Sequence, residues 1–151
     1  MSLARRLLLG SNRDGSPRRY RLLVPPLLFL VSFAAYALGV FEVAGGVVFL
    51  AGQAALLGVV AAAALAYRRA GLALAWATVY GALLGSNADH YLLGLPGRPV
   101  GERVAALLGL DGLVFVGVEA LALGTLAWVA GAVAVRGVEA FRARSEEAPA
   151  E

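Results

Sequence analysis

Few side chains in this sequence could do chemistry, and most of them gather near the same ends of its apolar segments. Glu119 is the sharpest candidate. It lies two turns inside the apolar stretch from Gly112 to Val135, roughly 10 Å from that stretch's nearer end at about 1.5 Å per residue. A charge at the centre of a bilayer costs about 2.5–3.5 kcal/mol on insertion scales, and less near the ends. A carboxyl group at this depth is therefore either functional or reaches the interface or a neighbouring helix. The second candidate is the run Ser86-Asn87-Ala88-Asp89-His90-Tyr91, which holds the only histidine of the chain. Glu42 and Asp111 fall at corresponding ends of other apolar segments, and Gln53 lies inside one.

Glu119, Asp89, His90, Asp111, Glu42 and Gln53 could meet around one vestibule. Carboxylates and an imidazole can bind a divalent cation, and His and Glu can relay protons near neutral pH. The spacing does not specify a metal site, because there is no second histidine and no HExxH pair. No metal and no cofactor is assigned. Gln53, Thr78 and Thr125 suit hydrogen bonds between helices, worth about 0.6 kcal/mol each. Tyr36 and Tyr80 also fall within apolar segments and could reach the same polar groups.

Several chemistries are excluded. The chain has no cysteine, so disulfides, thiolate catalysis and Cys-bound zinc or iron–sulfur clusters are out. It has no lysine, so all 13 basic residues are arginine and Schiff-base catalysis is out. The absence of Lys and Ile reads as a GC-rich genome. No phosphate-binding loop, nucleophile elbow, dinucleotide fingerprint or selectivity filter is present.

These residues must be positioned by membrane helices. About 20 apolar residues cross a bilayer core, and four stretches approach or exceed that length: 22–41, 43–67, 70–88 and 112–135. Hydrophobic residues make up 60% of the 151 residues and charged residues 15%, against about 25% charged in soluble domains. The expectation is an all-α membrane protein, a four-transmembrane-helix bundle. Residues 1–21 form a basic tail and 136–151 a charged one, which starts as a helix extension. No remaining segment is expected to form a soluble domain. Arg5-Arg6 before Leu7-Leu8-Leu9 only faintly matches a twin-arginine signal, and its apolar run is too short.

Pro25-Pro26 suits the first turn of the first span. That span should end near Phe41-Glu42 and turn tightly at Gly45-Gly46 into the second. Asn87 to Asp111 is the longest connection. Leu95-Pro96-Gly97-Arg98-Pro99 is a rigid turn. Pro99 to Leu110 predicts a short amphipathic helix with Val100, Val104, Leu107 and Leu108 on one face, lying in the interface plane.

Arginine sets the orientation. Eleven of the 13 lie in the N-terminal tail, the Arg68-Arg69 turn and the C-terminal segment, and only Arg98 and Arg103 lie elsewhere. Four spans place those three regions on one side. Positive charge stays cytoplasmic, so both termini are expected inside and the cell membrane is crossed several times. This distribution follows topology and does not suggest nucleic acid.

Ala73, Ala77, Gly81 and Gly85 recur every four residues on the third span, a face for close helix packing. Trp76, Trp128, Tyr20, Tyr67 and Tyr91 match an aromatic belt. Sparse intramembrane polarity and small-residue faces predict a non-catalytic structural or accessory protein. Its partners would be the lipid bilayer, other membrane proteins or a second copy of itself. The alternatives are an oligomeric small-solute or proton transport unit using Glu119 and Asp89/His90, and a membrane enzyme acting on a lipid or quinone.

Overall fold

The computed structural model describes residues 7–10, 18–42 and 51–147. Among these the structure is helical, apart from the turns that join the helices and one isolated bridge between Gly10 and Ala70. In chain order the helices are α1 (Arg18–Leu22), α2 (Val24–Ala37), α3 (Gly52–Tyr67), α4 (Leu72–Leu92), α5 (Val100–Leu107) and α6 (Leu110–Glu147). The residues expected to begin the second span, 43–50, lie outside the described residues. So do the 11–17 linker and the end of the C-terminal tail, 148–151.

Local chemistry sets the boundaries. Pro25 and Pro26 have no N–H to give the preceding turn, so the hydrogen-bond ladder is interrupted between α1 and α2 while Leu23 keeps a helical backbone (φ -80°, ψ -14°). The first apolar stretch was expected to stay helical to about Phe41, but α2 stops at Ala37. Gly39 adopts a left-handed conformation (φ 69°), and the Val40 N–H donates back to the Ala35 carbonyl at 2.8 Å. That is a glycine-terminated Schellman end. The same motif ends α3, with Arg69 in the left-handed position (φ 58°) and Ala70 N–H donating to the Leu65 carbonyl at 2.9 Å.

α4 is the central helix and packs on α2, α3, α5 and α6, while α3 also packs on α6. Gly81 lies against the backbone of Pro25, and Gly85 lies against Phe29 and Ser32. α2 and α4 therefore run in the same direction. Gly124 sits under Trp76, and Gly112 lies near Asn87, so α6 runs the opposite way to α4.

The sizes of buried and exposed residues are reversed from those of a soluble protein. The core is mostly alanine, with Ala54, Ala55, Ala62, Ala75, Ala82, Ala120 and Ala127 around Val79 and Leu83. The larger Leu27, Leu30, Val60, Val118, Leu121 and Leu126 point outward. Small residues inside allow close helix contact, and large apolar ones outside suit lipid. Two helical runs, Tyr20–Ala37 and Leu110–Ser145, are long and apolar enough to cross a membrane. Only 17% and 22% of their most apolar windows are buried, unlike the core helix of a soluble protein.

The small-residue stripe on α4 divides in two. Gly81 and Gly85 form a close contact with α2, and Ala73 and Ala77 are exposed in the single chain. The contact between α2 and α4 starts at Pro25 opposite Gly81.

The two ends of the helix packing differ in charge. At one end Arg69 pairs with Glu139 on α6, and Gly10 bridges to Ala70. The Trp128 indole donates to the Ala70 carbonyl at 3.1 Å. The turn between α3 and α4 is thus joined both to the N-terminal segment and to the far half of α6. The opposite end carries Glu42, Asp89, His90, Asp111 and α5.

Candidate functional site

At this second end four helix termini surround a cavity of about 840 Å³. Tyr36 enters from the last turn of α2, with Glu42 from the segment that follows. The start of α3 contributes Gly52, Gln53 and Leu56. The last three turns of α4 contribute Leu83, Ser86, Asn87, Asp89 and His90. α6 closes the cavity with Phe115, Val116 and Glu119. One turn of helix advances about 5.4 Å, so Val116 and Glu119, three residues apart, stack on one face of α6.

Five of the six polar residues singled out from the sequence, Glu42, Gln53, Asp89, His90 and Glu119, line this one cavity. Asp111 does not. It is exposed in the first turn of α6, where a carboxylate complements the helix dipole. Gly112 takes its place in the wall. Tyr36 reaches the cavity and Tyr80 does not.

The polar groups differ in their freedom. Ser86 donates to the Leu83 carbonyl of its own helix at 2.8 Å. Tyr36 is buried and meets Phe41 edge-on, with ring centroids 5.3 Å apart. His90 meets Tyr91 in the same manner at 5.2 Å. Glu119 is half-buried and Asp89 likewise, while Glu42, Gln53 and His90 are exposed. Among the described residues, neither Glu119 nor Asp89 forms an ion pair.

No three of the His, Asp and Glu side chains among the described residues come close enough to hold a metal ion. The carboxyl groups are spread around the wall. The arrangement suits a ligand of several atoms better than a single small ion.

In the sequence Arg103 stands out only as one of the two arginines away from the three arginine-rich regions. It has a positioning role. Its guanidinium donates to the carbonyls of Arg98 (2.8 Å) and Leu92 (3.0 Å). The second bond satisfies a free carbonyl at the end of α4, beside the cavity. An arginine eleven residues past a helix end is only a faint sign of this in sequence.

Comparison with protein-family models, with curated proteins and with solved structures found no match.

Proposed function

We propose that this chain is a small four-span protein of the cytoplasmic membrane. In this reading it has no catalytic activity of its own and holds a small solute in the cavity among its helix ends. The spans are about 22–41, 43–67, 70–88 and 112–135, with both termini cytoplasmic. The cavity then opens toward the outer face, and α5 lies in that interface. The observation that carries the reading is the meeting of Glu42, Gln53, Asp89, His90 and Glu119 in one cavity. Ligand pockets typically have volumes of about 300–1,000 Å³ and mostly apolar walls with a few placed polar groups. Transport of that solute by an oligomer is the natural extension, since four spans are few for a transporter acting alone.

A second reading is favoured by the exposed Ala73 and Ala77. A small-residue face open on α4 would accept a helix of another membrane protein or of a second copy. The protein would then be an accessory component of a larger complex.

Native mass spectrometry of the particle extracted from membranes in mild detergent separates the two. A lone chain or homo-oligomer carrying a small molecule supports the solute reading. Other polypeptides at fixed ratio, with no small molecule retained, would replace it with the accessory reading.

A further inference from the structure

We propose that the solute held in this cavity is an organic cation, an amine or quaternary onium group carried on an apolar body. This rests on the solute reading above and names the class of ligand. Among the described residues, the cavity wall includes three carboxyl groups, on Glu42, Asp89 and Glu119, and no arginine. All 13 basic residues of the chain are arginines, so His90 is the only base among those wall residues. A cation gains from a wall that carries carboxyl groups and no arginine, and an anion finds no such partner there.

The shape of the site decides what sort of cation. The acidic groups do not converge on a point, and no metal-holding trio exists among the described residues. A small ion could not satisfy them together. A charge spread over an organic group could face more than one. Tyr36, Tyr91 and Phe115 also line the cavity, and aromatic faces attract onium groups. Leu56, Leu83 and Val116 supply apolar wall for the ligand's body. A ligand that is apolar except for one diffuse charge matches each of these features.

Tetraphenylphosphonium is a suitable probe, with tetraphenylborate as its anionic counterpart and triphenylphosphine oxide as a neutral one. Saturable binding would be measured on the full chain in lipid nanodiscs, with protein-free discs subtracted. The expected result is saturable phosphonium binding that weakens at least tenfold in both Glu119→Gln and Asp89→Asn. Glu102→Gln, which changes a carboxylate outside the cavity, should leave it unchanged. Comparable binding of all three probes would overturn the cation assignment and leave the cavity a solute site. Phosphonium binding that neither cavity variant weakens would also overturn the cation assignment, because the probe would then sit away from these carboxyl groups. Absence of saturable binding by any probe would overturn the cation assignment and the solute reading together.

Discussion

The indole of Trp76 on α4 donates a 2.9 Å hydrogen bond to Oγ1 of Thr125 on α6. That hydroxyl donates in turn to the Leu121 carbonyl one turn back at 2.6 Å. One threonine therefore satisfies an indole that would otherwise face apolar surroundings, and its own hydrogen stays paired. Thr125→Val keeps the shape and removes the acceptor. The expected loss is about 0.6 kcal/mol, the usual value for such bonds between membrane helices. Gly124→Leu should cost more, because a Cβ at that position already falls 2.9 Å from Trp76 Cδ1. Reversible unfolding in mixed micelles would rank the two.

The α2–α4 contact predicts a contrast within one stripe of small residues. A Cβ at Gly85 would lie 2.5 Å from the Phe29 carbonyl oxygen and 2.9 Å from the Phe33 nitrogen. Backbone atoms cannot move aside as a flexible side chain can, so Gly85→Leu should destabilise by about 1–3 kcal/mol or more. Ala77→Leu, on the exposed part of the stripe, should fall within about 0.5 kcal/mol of wild type. The same unfolding assay checks both. If Ala77→Leu instead lowers the mass of the native particle, that face meets another chain.

That stripe shows what sequence could and could not resolve. Spacing of four residues identified the face, because the helical repeat brings such residues together whatever the partner. It could not show where the contact starts, which is at Pro25 opposite Gly81. The cavity follows the same logic. Hydropathy placed Asp89, His90 and Glu42 near corresponding helix ends and Glu119 two turns inside one, since a charge this costly must lie near an end or a partner. Gln53, expected inside the second span, stands in the first turn of α3. Which side of each helix faced inward was not legible, and Asp111 and Gly112, adjacent in sequence, point differently. The early end of α2 was legible in principle. Gly39 is a good residue for a left-handed terminus, but the apolar Val40 and Phe41 beyond it hide the signal.

Arg69 is an unusual choice for the left-handed residue that ends α3. A non-glycine residue in that conformation costs about 1–2 kcal/mol, while an exposed ion pair such as the one with Glu139 returns about 0–1 kcal/mol. Arg69→Ala keeps the strain and loses the pair, whereas Arg69→Gly loses both. Arg69→Gly should therefore be the more stable variant, by about 1 kcal/mol. Equal midpoints for the two variants would contradict this origin of the turn's strain.

Arg103 links α5 to the end of α4 through the Leu92 carbonyl. α5 has no buried residue of its own, so little else holds it there. Arg103→Ala should speed amide hydrogen exchange in Val100–Leu107 at least several-fold. Exchange in the middle of α4, which rests on α2, α3 and α6, should not change.

In the proposed topology the chain crosses the membrane four times with its arginine-rich end inside. The cysteine-free sequence makes this directly testable, because a single introduced cysteine is the only thiol. The variants Arg98→Cys, beside α5, and Ser145→Cys, near the end of α6, would be labelled in intact cells with a membrane-impermeant maleimide, and again after permeabilisation. The expected result is that the Arg98→Cys variant reacts in intact cells and the Ser145→Cys variant reacts only once the membrane is opened. Labelling of both variants in intact cells, or of the Ser145→Cys variant alone, would contradict the topology.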